Sequence, residues 1–378
     1  MRKTSSTMAV IVLALLSIGI VMLASTSTVK GATSFGDPHY FLKRQLIWLF
    51  ISLVAAVVFV RFDYHWWQKA SMPLSVFAVI LLVLVFVPGI GLKIGGSHRW
   101  LRLGPLSFQP SEFAKFASIV AVSAWMVKAG RKVANFKEGL MYPLIGIGII
   151  LALTMLEPDF GTTLLIGMVS MLIMFVAGTR FSYLFAGFLL GLCGFILAIM
   201  RDPVRLKRIL SFLWPDQFSS GAYHLMQSKI AFELGGLFGK GLGNSLQKHL
   251  YLPEAHTDFI LAIVGEELGF FFTLLVVLLF MGILICGMMI TYKAPDPFGR
   301  LLAFGITMML VLQAVINIGV VTGCLPTKGI PLPFISYGGS SMLMATVGIC
   351  VLINIAQHVG DESVDDHTKI IKDSAHVF

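Results

Sequence analysis

The stretch YLPEAHTDFILAIVGEELGFFFTLLVVLLFMGILICGMMIT, Tyr251–Thr291, decides the class of this protein. Its second part, 268–291, carries no charged residue and exceeds the roughly 20 apolar residues that cross a bilayer as a helix. Its first part, Tyr251–Gly269, gathers Glu254, His256, Asp258 and the Glu266/Glu267 pair. Ionisable groups are costly near hydrocarbon, so an acidic cluster at the head of a span is by default a functional-site hypothesis.

The same pattern extends in both directions. Apolar runs fall at about 8–26, 46–62, 72–90, 111–129, 140–156, 161–179, 182–200, 268–291, 300–322 and 334–357. The chain is 57% hydrophobic and only 12% charged, against about a quarter charged in soluble domains. The reading is an all-α polytopic membrane protein of about ten transmembrane helices. It forms one domain over 1–357, followed by a polar tail, 358–378, expected to be disordered. The first run resembles a signal peptide, with Arg2 and Lys3 before it, but nine more runs follow, so a retained signal-anchor is the better reading. The net charge of +9 is scattered over loops without interleaved aromatics, which excludes a nucleic-acid partner. The four cysteines contain no CxxC pair and read as small core residues. No His/Cys/Asp spacing resembles a dedicated metal cage.

Lys and Arg in short loops set the orientation. With the N-terminus in the cytoplasm, Lys69, Lys128, Arg131, Lys132, Lys137, Arg180, Lys293 and Arg300 lie inside. The opposing short loops hold Lys30, Lys43, Arg44, Lys93, Arg99, Arg102 and Lys328. An even span number returns the tail to the cytoplasm. One long outer loop, 201–257, separates spans seven and eight and carries Arg205, Arg208, Lys229, Lys240 and Lys248 among its cations. Loops of this length are usually functional; contact with lipid headgroups is the plainer alternative. Within it, Tyr223–Phe238 reads as an amphipathic helix that could lie at the interface. The following GGLFGKGLGNS lacks the Ser or Thr of a phosphate loop and reads as tight turns.

Four motifs can carry chemistry. Thr257 reads as an N-cap, which places Asp258 in a first helical turn, where a carboxylate suits either a general base or simple helix stabilisation. Glu266 and Glu267 are adjacent, cannot share a helix face, and read as structural, one of them paired with a buried cation. Lys115, in Gln109-Pro110-Ser111-Glu112-Phe113-Ala114-Lys115, falls one turn into the membrane and needs an anion; Asp159 or Glu157, from Glu157-Pro158-Asp159-Phe160-Gly161, is the expected partner. Arg99, in Ser97-His98-Arg99-Trp100, could bind an anion or be a solvated loop charge. The segment Pro326–Ser341, PTKGIPLPFISYGGSS, is stiffened by prolines and re-enters the membrane; irregular backbone survives there only when packed in protein or lining a cavity.

QPSEFAK, EPDFGT, GGLFGKGLG with HTDFI and GEELG, and PFISYGGSS, in this order, resemble the SEDS family of bacterial cell-wall proteins over nearly the whole chain. The unbroken PEAHTDFI and PTKG look more like the division members than the elongation ones, with the sporulation members close. The resemblance implies a peptidoglycan glycosyltransferase that polymerises lipid II at the outer face of the bacterial cytoplasmic membrane during septal wall synthesis. It implies inversion at the anomeric carbon and release of undecaprenyl pyrophosphate. The family's essential outer-loop aspartate falls on Asp258. The expected substrate-binding set is Arg99, Trp100, Arg205, Arg208, Gln227, Lys248, Glu254, His256 and Lys328. Lys115, Glu157, Asp159, Glu266 and Glu267 are the structural ion-pair candidates. A pyrophosphate leaving group needs cations rather than a second carboxylic acid; a divalent cation, Mg or Mn, could assist. The implied partners are a class B penicillin-binding protein, which supplies transpeptidation, and other divisome membrane proteins. A lipid II flippase, a non-catalytic scaffold, and an elongation or sporulation polymerase are the rival readings.

Overall fold

The structure is a computed structural model and describes residues 1–378 apart from 95–96, 105, 203–205, 207–209, 213, 215–219, 250 and 376–378. Its helices are α1 (Arg2–Thr26), α2 (Thr28–Phe35), α3 (Tyr40–Arg61), α4 (His65–Lys69), α5 (Ser71–Leu84), α6 (Pro110–Ala129), α7 (Tyr142–Leu156), α8 (Phe160–Val176), α9 (Phe181–Met200), α10 (Ser220–Gly235), α11 (Ile260–Lys293), α12 (Pro297–Val321) and α13 (Gly339–Ala375). Among the described residues, eight helices are long and apolar enough to cross a membrane, and α5 and α8 are shorter apolar helices where two further spans are expected. α13 continues past the expected end at 357 to Ala375, into the tail for which composition suggests disorder.

The bundle is built around α6, α12 and α13. In α12, 67% of the apolar window is buried, against 6% in α9, so α12 is core and α9 faces lipid. Close approach is made possible by small residues: a Cβ on Gly305 of α12 would lie 2.6 Å from Ile119 of α6 and 2.7 Å from Ile173 of α8. One departure from the all-helical expectation is a three-stranded antiparallel sheet between α5 and α6, formed by β1 (Gly91–Ile94), β2 (Ser97–Leu103) and β3 (Leu106–Phe108). It places Arg99 and Trp100 on a strand rather than a loop.

α11 is broken within its length. Gly269 adopts φ 81 and ψ −176, a conformation accessible essentially to glycine. The break frees backbone groups, each of which costs several kcal/mol if left unsatisfied in hydrocarbon. The glycine-rich loop after α10 satisfies them: Lys240 and Gly241 N–H donate to Glu266 and Glu267 carbonyls at 3.0 and 2.9 Å, and Phe270 N–H donates to the Gly236 carbonyl at 3.0 Å. The tight turns expected of GGLFGKGLGNS are therefore a docking device for a broken helix. α10 is likewise packed against α11 rather than lying free at an interface: a Cβ on Gly235 would sit 2.0 Å from the Gly265 carbonyl oxygen, and Ser228 Oγ donates to the Val321 carbonyl at 2.7 Å.

Gly239 has φ 78, and an added Cβ would lie 2.3 Å from the Glu267 carbonyl oxygen. Gly236 has φ 54 but open space around it. Gly239→Ala is expected to cost at least about 2 kcal/mol, and Gly236→Ala about 1 kcal/mol, from left-handed strain alone. Thermal unfolding of the two purified variants in detergent checks the order.

Candidate active site

The turn that carries Asp258 is built from local hydrogen bonds. Glu254 takes φ 55, unusual for a non-glycine residue. Its carbonyl accepts from Thr257 N–H at 3.1 Å and Phe259 N–H at 3.3 Å, and its carboxylate accepts from Thr257 Oγ1 at 2.9 Å. Thr257 is therefore not the expected N-cap: Phe259 occupies that position without a side-chain cap, and α11 begins at Ile260. Asp258 lies in the turn ahead of the helix, not in its first turn. Lys30, from α2, reaches across to Glu254 at 2.9 Å. Burial works against ionisation of Glu254, but the Lys30 ammonium and the Thr257 hydroxyl outweigh it and hold the carboxyl below its usual range.

The re-entrant segment Pro326–Gly338 clamps this turn. Ser336 Oγ donates to the Thr257 carbonyl at 2.6 Å, and Tyr337 N–H donates to the His256 carbonyl at 3.0 Å. Asn317 of α12 donates from one amide nitrogen to both the Asp258 and Ile330 carbonyls, each at 2.8 Å. The half-buried Asp258 then faces Gly329, where a Cβ would sit 3.0 Å from Asp258 Oδ2. Glycine at 329 leaves room for the carboxylate one residue from Lys328. His256 is 3% exposed and packs with Phe41 at a ring distance of 4.5 Å. Burial, with Lys30 nearby, lowers its pKa to about 4, so it is neutral at pH 7 and cannot act as a cation for an anionic ligand.

A second wall comes from the loop between α7 and α8. Arg99 lays its guanidinium on backbone, with Nε donating to the Glu157 carbonyl at 3.0 Å and a terminal nitrogen to the Pro158 carbonyl at 2.5 Å. Asp159 caps α8, accepting from Thr162 N–H at 3.3 Å, Thr162 Oγ1 at 2.9 Å, and Ser111 Oγ and Gln109 Nε2 at 3.2 Å each. The Lys328 ammonium stands 5.2 Å over the Phe195 ring. Burial lowers its pKa while Asp159 opposes that shift. Glu157 is fully buried, and neither of its carboxyl oxygens has a hydrogen-bond partner among the described residues. Burial, reinforced by Asp159, raises its pKa to about 9, so it holds a proton at pH 7.

Several expected roles are corrected. Lys115 pairs with Glu112 on its own helix at 2.8 Å and donates to Gln313 at 2.7 Å, not to Asp159 or Glu157. The i,i+3 neighbour is simply nearer than the loop carboxylates. These groups line a cavity of about 30 Å³ between α6, α12 and α13. Lys248 is not free for substrate: it is 8% exposed, pairs with Glu267 at 3.1 Å, and also donates to the Gly243 carbonyl and to Ser25. Glu267 further accepts from Ser25 Oγ at 2.7 Å, tying the end of α1 to the break in α11. Glu266, equally buried, accepts from Ser245 Oγ and from Leu246 N–H at 2.9 Å, and so caps a turn of the outer loop. Trp100 sits half-buried opposite Leu92 in the sheet, and Gln227 half-buried on α10. Arg205 and Arg208 lie outside the described residues.

The sequence that forms this site is matched by the family model described as "cell cycle protein", FtsW/RodA/SpoVE, over residues 6–360. The chain belongs to this family. It is 42% identical over 346 residues to a probable peptidoglycan glycosyltransferase FtsW from Trichlorobacter lovleyi, covering 91% of each chain. It is also 42% identical over 364 residues to stage V sporulation protein E of Bacillus subtilis, covering 94% of this chain and 98% of that one. Among solved structures it resembles a chain from work on the coordination of polymerization and crosslinking by a peptidoglycan synthase complex, with a TM-score of 0.76, 25% identity and coverage of 93% and 97%. Thermus thermophilus RodA superposes with a TM-score of 0.67 at 25% identity, covering 93% and 95%.

For a member of the FtsW/RodA/SpoVE family, the groups missed by reading the sequence are informative. Lys30, Glu112, Gln313 and Asn317 all hold other members of the site in place. The available signal was the pair of amides, Gln313 and Asn317, within an apolar span, where polar side chains need partners. Among the described residues no three His, Cys, Asp or Glu side chains converge in a way that could hold a metal ion.

Glu157 makes a pH prediction with a definite sign. Its folded pKa lies above the unfolded value, so its stability is complete below about pH 4.5 and declines as pH rises towards about 9. Removing the charge with Glu157→Gln is expected to raise the thermal midpoint at pH 8 and to change it much less at pH 5, the difference growing by up to about 1.4 kcal/mol per pH unit. Unfolding scans across pH 5–8 check the trend; His256, with the opposite sign, acts only below about pH 6.5.

Proposed function

We propose that this chain is a division-type peptidoglycan glycosyltransferase that polymerises lipid II, with Asp258 as the general base. The observation that carries this reading is the placement of the Asp258 carboxylate against the backbone of Gly329, the residue that follows Lys328 in the chain, with the Asp258 turn itself clamped by Asn317, Ser336 and Tyr337. A sugar hydroxyl is a weak nucleophile, and a positioned carboxylate supplies the base it needs. As the acceptor oxygen forms its bond to the anomeric carbon of the donor, its proton passes to Asp258. The anomeric carbon–oxygen bond breaks, and its electron pair leaves with undecaprenyl pyrophosphate. Attack opposite the leaving group inverts α to β.

The leaving pyrophosphate needs positive charge. Lys328 is the cation placed for it. Arg99 contributes at the neighbouring wall, with part of its fork already used on the Glu157 and Pro158 carbonyls. Arg205 and Arg208 of the outer loop are further candidates. Glu254 and His256 shape the turn rather than bind charge. The polymerase works beside a class B penicillin-binding protein and other divisome proteins at the septum, with both termini in the cytoplasm. The likeness to a chain of a peptidoglycan synthase complex supports such a partnership.

Purified Asp258→Ala and Asp258→Asn are expected to lose glycan polymerisation from lipid II by about 10²- to 10⁴-fold, the usual contribution of a positioned base. Wild-type output from both variants would remove Asp258 as the base. Transport of lipid II in liposomes that survives both substitutions would favour a flippase instead.

A further inference from the structure

Gln313 and Asn317 lie one turn apart on the same face of α12, and are 3% and 1% exposed. Amide side chains at such depth are expensive unless hydrogen-bonded; among the described residues Gln313 uses both ends of its amide, whereas Asn317 uses its nitrogen and its Oδ1 has no partner. Gln313 Nε2 donates to the Pro331 carbonyl at 2.9 Å, and its Oε1 accepts from Lys115, which is itself paired with Glu112. Asn317 Nδ2 donates to the Ile330 and Asp258 carbonyls together. Pro331 and Pro333 have no N–H to offer a regular ladder; the Lys328 and Leu332 carbonyls still accept from backbone N–H groups, while those of Ile330 and Pro331 take the two amide side chains. One helix face therefore grips the Ile330 and Pro331 carbonyls, just after Gly329, and the Asp258 carbonyl at the same time.

We infer that Gln313 and Asn317 are positioning residues that set the separation between the Asp258 carboxylate and the Lys328–Gly329 segment. The inference rests on the reading of Asp258 as base. The ladder starts at the Glu112–Lys115 pair on α6, so the geometry of the outer site is referred to the rigid core of the bundle. Glycosyl transfer is sensitive to this separation: displacing a reacting group by about 1 Å can cost about 10²-fold in rate. In this reading Lys328 acts on the leaving group as its charge develops, so a change in its separation from Asp258 falls on kcat more than on KM.

The control is Asn354 at the opposite end of the bundle. It bridges backbone in the same manner, Nδ2 donating to the Val60 carbonyl at 2.9 Å and Oδ1 accepting from Tyr64 N–H at 3.0 Å. Asn317→Ala is expected to lower kcat for lipid II polymerisation by about 10- to 100-fold, with KM within about threefold. Asn354→Ala is expected to lose comparable thermal stability and keep its kcat. If Asn317→Ala does not fold, the volume-conserving Gln313→Met carries the test, with kcat lower by about 3- to 10-fold. Hydrogen exchange on either variant is expected to quicken over 326–337 and 253–259 without a change in α13. Wild-type kcat in folded Asn317→Ala or Gln313→Met overturns the inference, as does an equal loss in Asn354→Ala. Asp258→Asn, run in parallel, separates the two failures: an active Asp258→Asn sinks the base reading, whereas an inactive one beside a fully active Asn317→Ala sinks only the positioning role.

Discussion

Backbone polar groups at membrane depth must be satisfied within the protein, and two irregular segments of this bundle, the break in α11 and the stretch 326–338, are organised by that constraint. The break at Gly269 exists because the loop from Gly236 to Gly241 supplies the missing partners. The proline-rich segment before α13 exists because Gln313, Asn317 and Ser336 bond to its backbone. The second of these irregularities clamps the turn of Glu254–Phe259, and the first interrupts the helix that follows that turn. Asp258 thus sits where packed helices give way to structured loop, on backbone that is irregular yet fully held.

The electrostatics follow from burial more than from charge count. Two groups that look ionic in the sequence are neutral at pH 7: His256, packed with Phe41, and Glu157, enclosed without a hydrogen-bond partner among the described residues. Two more are consumed by structure, since Lys248 neutralises Glu267 and Lys115 neutralises Glu112. Among the described residues, Lys328 stands over Phe195 with Asp159 in electrostatic reach, and Arg99 is braced on carbonyl oxygens. Under the proposed reading, one carboxylate takes the proton and the cations serve a leaving group that is already a good one, as pyrophosphate is.

Much of the helical framework is legible in the sequence because long apolar runs have few alternatives to a membrane helix. Asp258 is legible for a related reason: charge at the border of such a run needs a role. The rest depends on where the chain returns to, which one sequence does not reveal. The partner of Lys115 lies three residues away rather than across the outer border. Thr257 looks like a helix cap, but the positive φ of Glu254 turns its hydroxyl back to that residue. Lys248 looks like a loop cation until the glycine turns fold it onto the broken helix. The small sheet around Arg99 consists of strands of three to seven residues, too short to stand out beside apolar runs.

The central claim is that the ionised carboxylate of Asp258 accepts the proton of the attacking hydroxyl. The pH dependence of kcat for lipid II polymerisation tests it most directly. The wild-type rate should fall about tenfold per pH unit below the pKa of the base, while the residual rate of Asp258→Asn should be flat across the same range. An acid limb that persists unchanged in Asp258→Asn would contradict the account and assign the proton to another group.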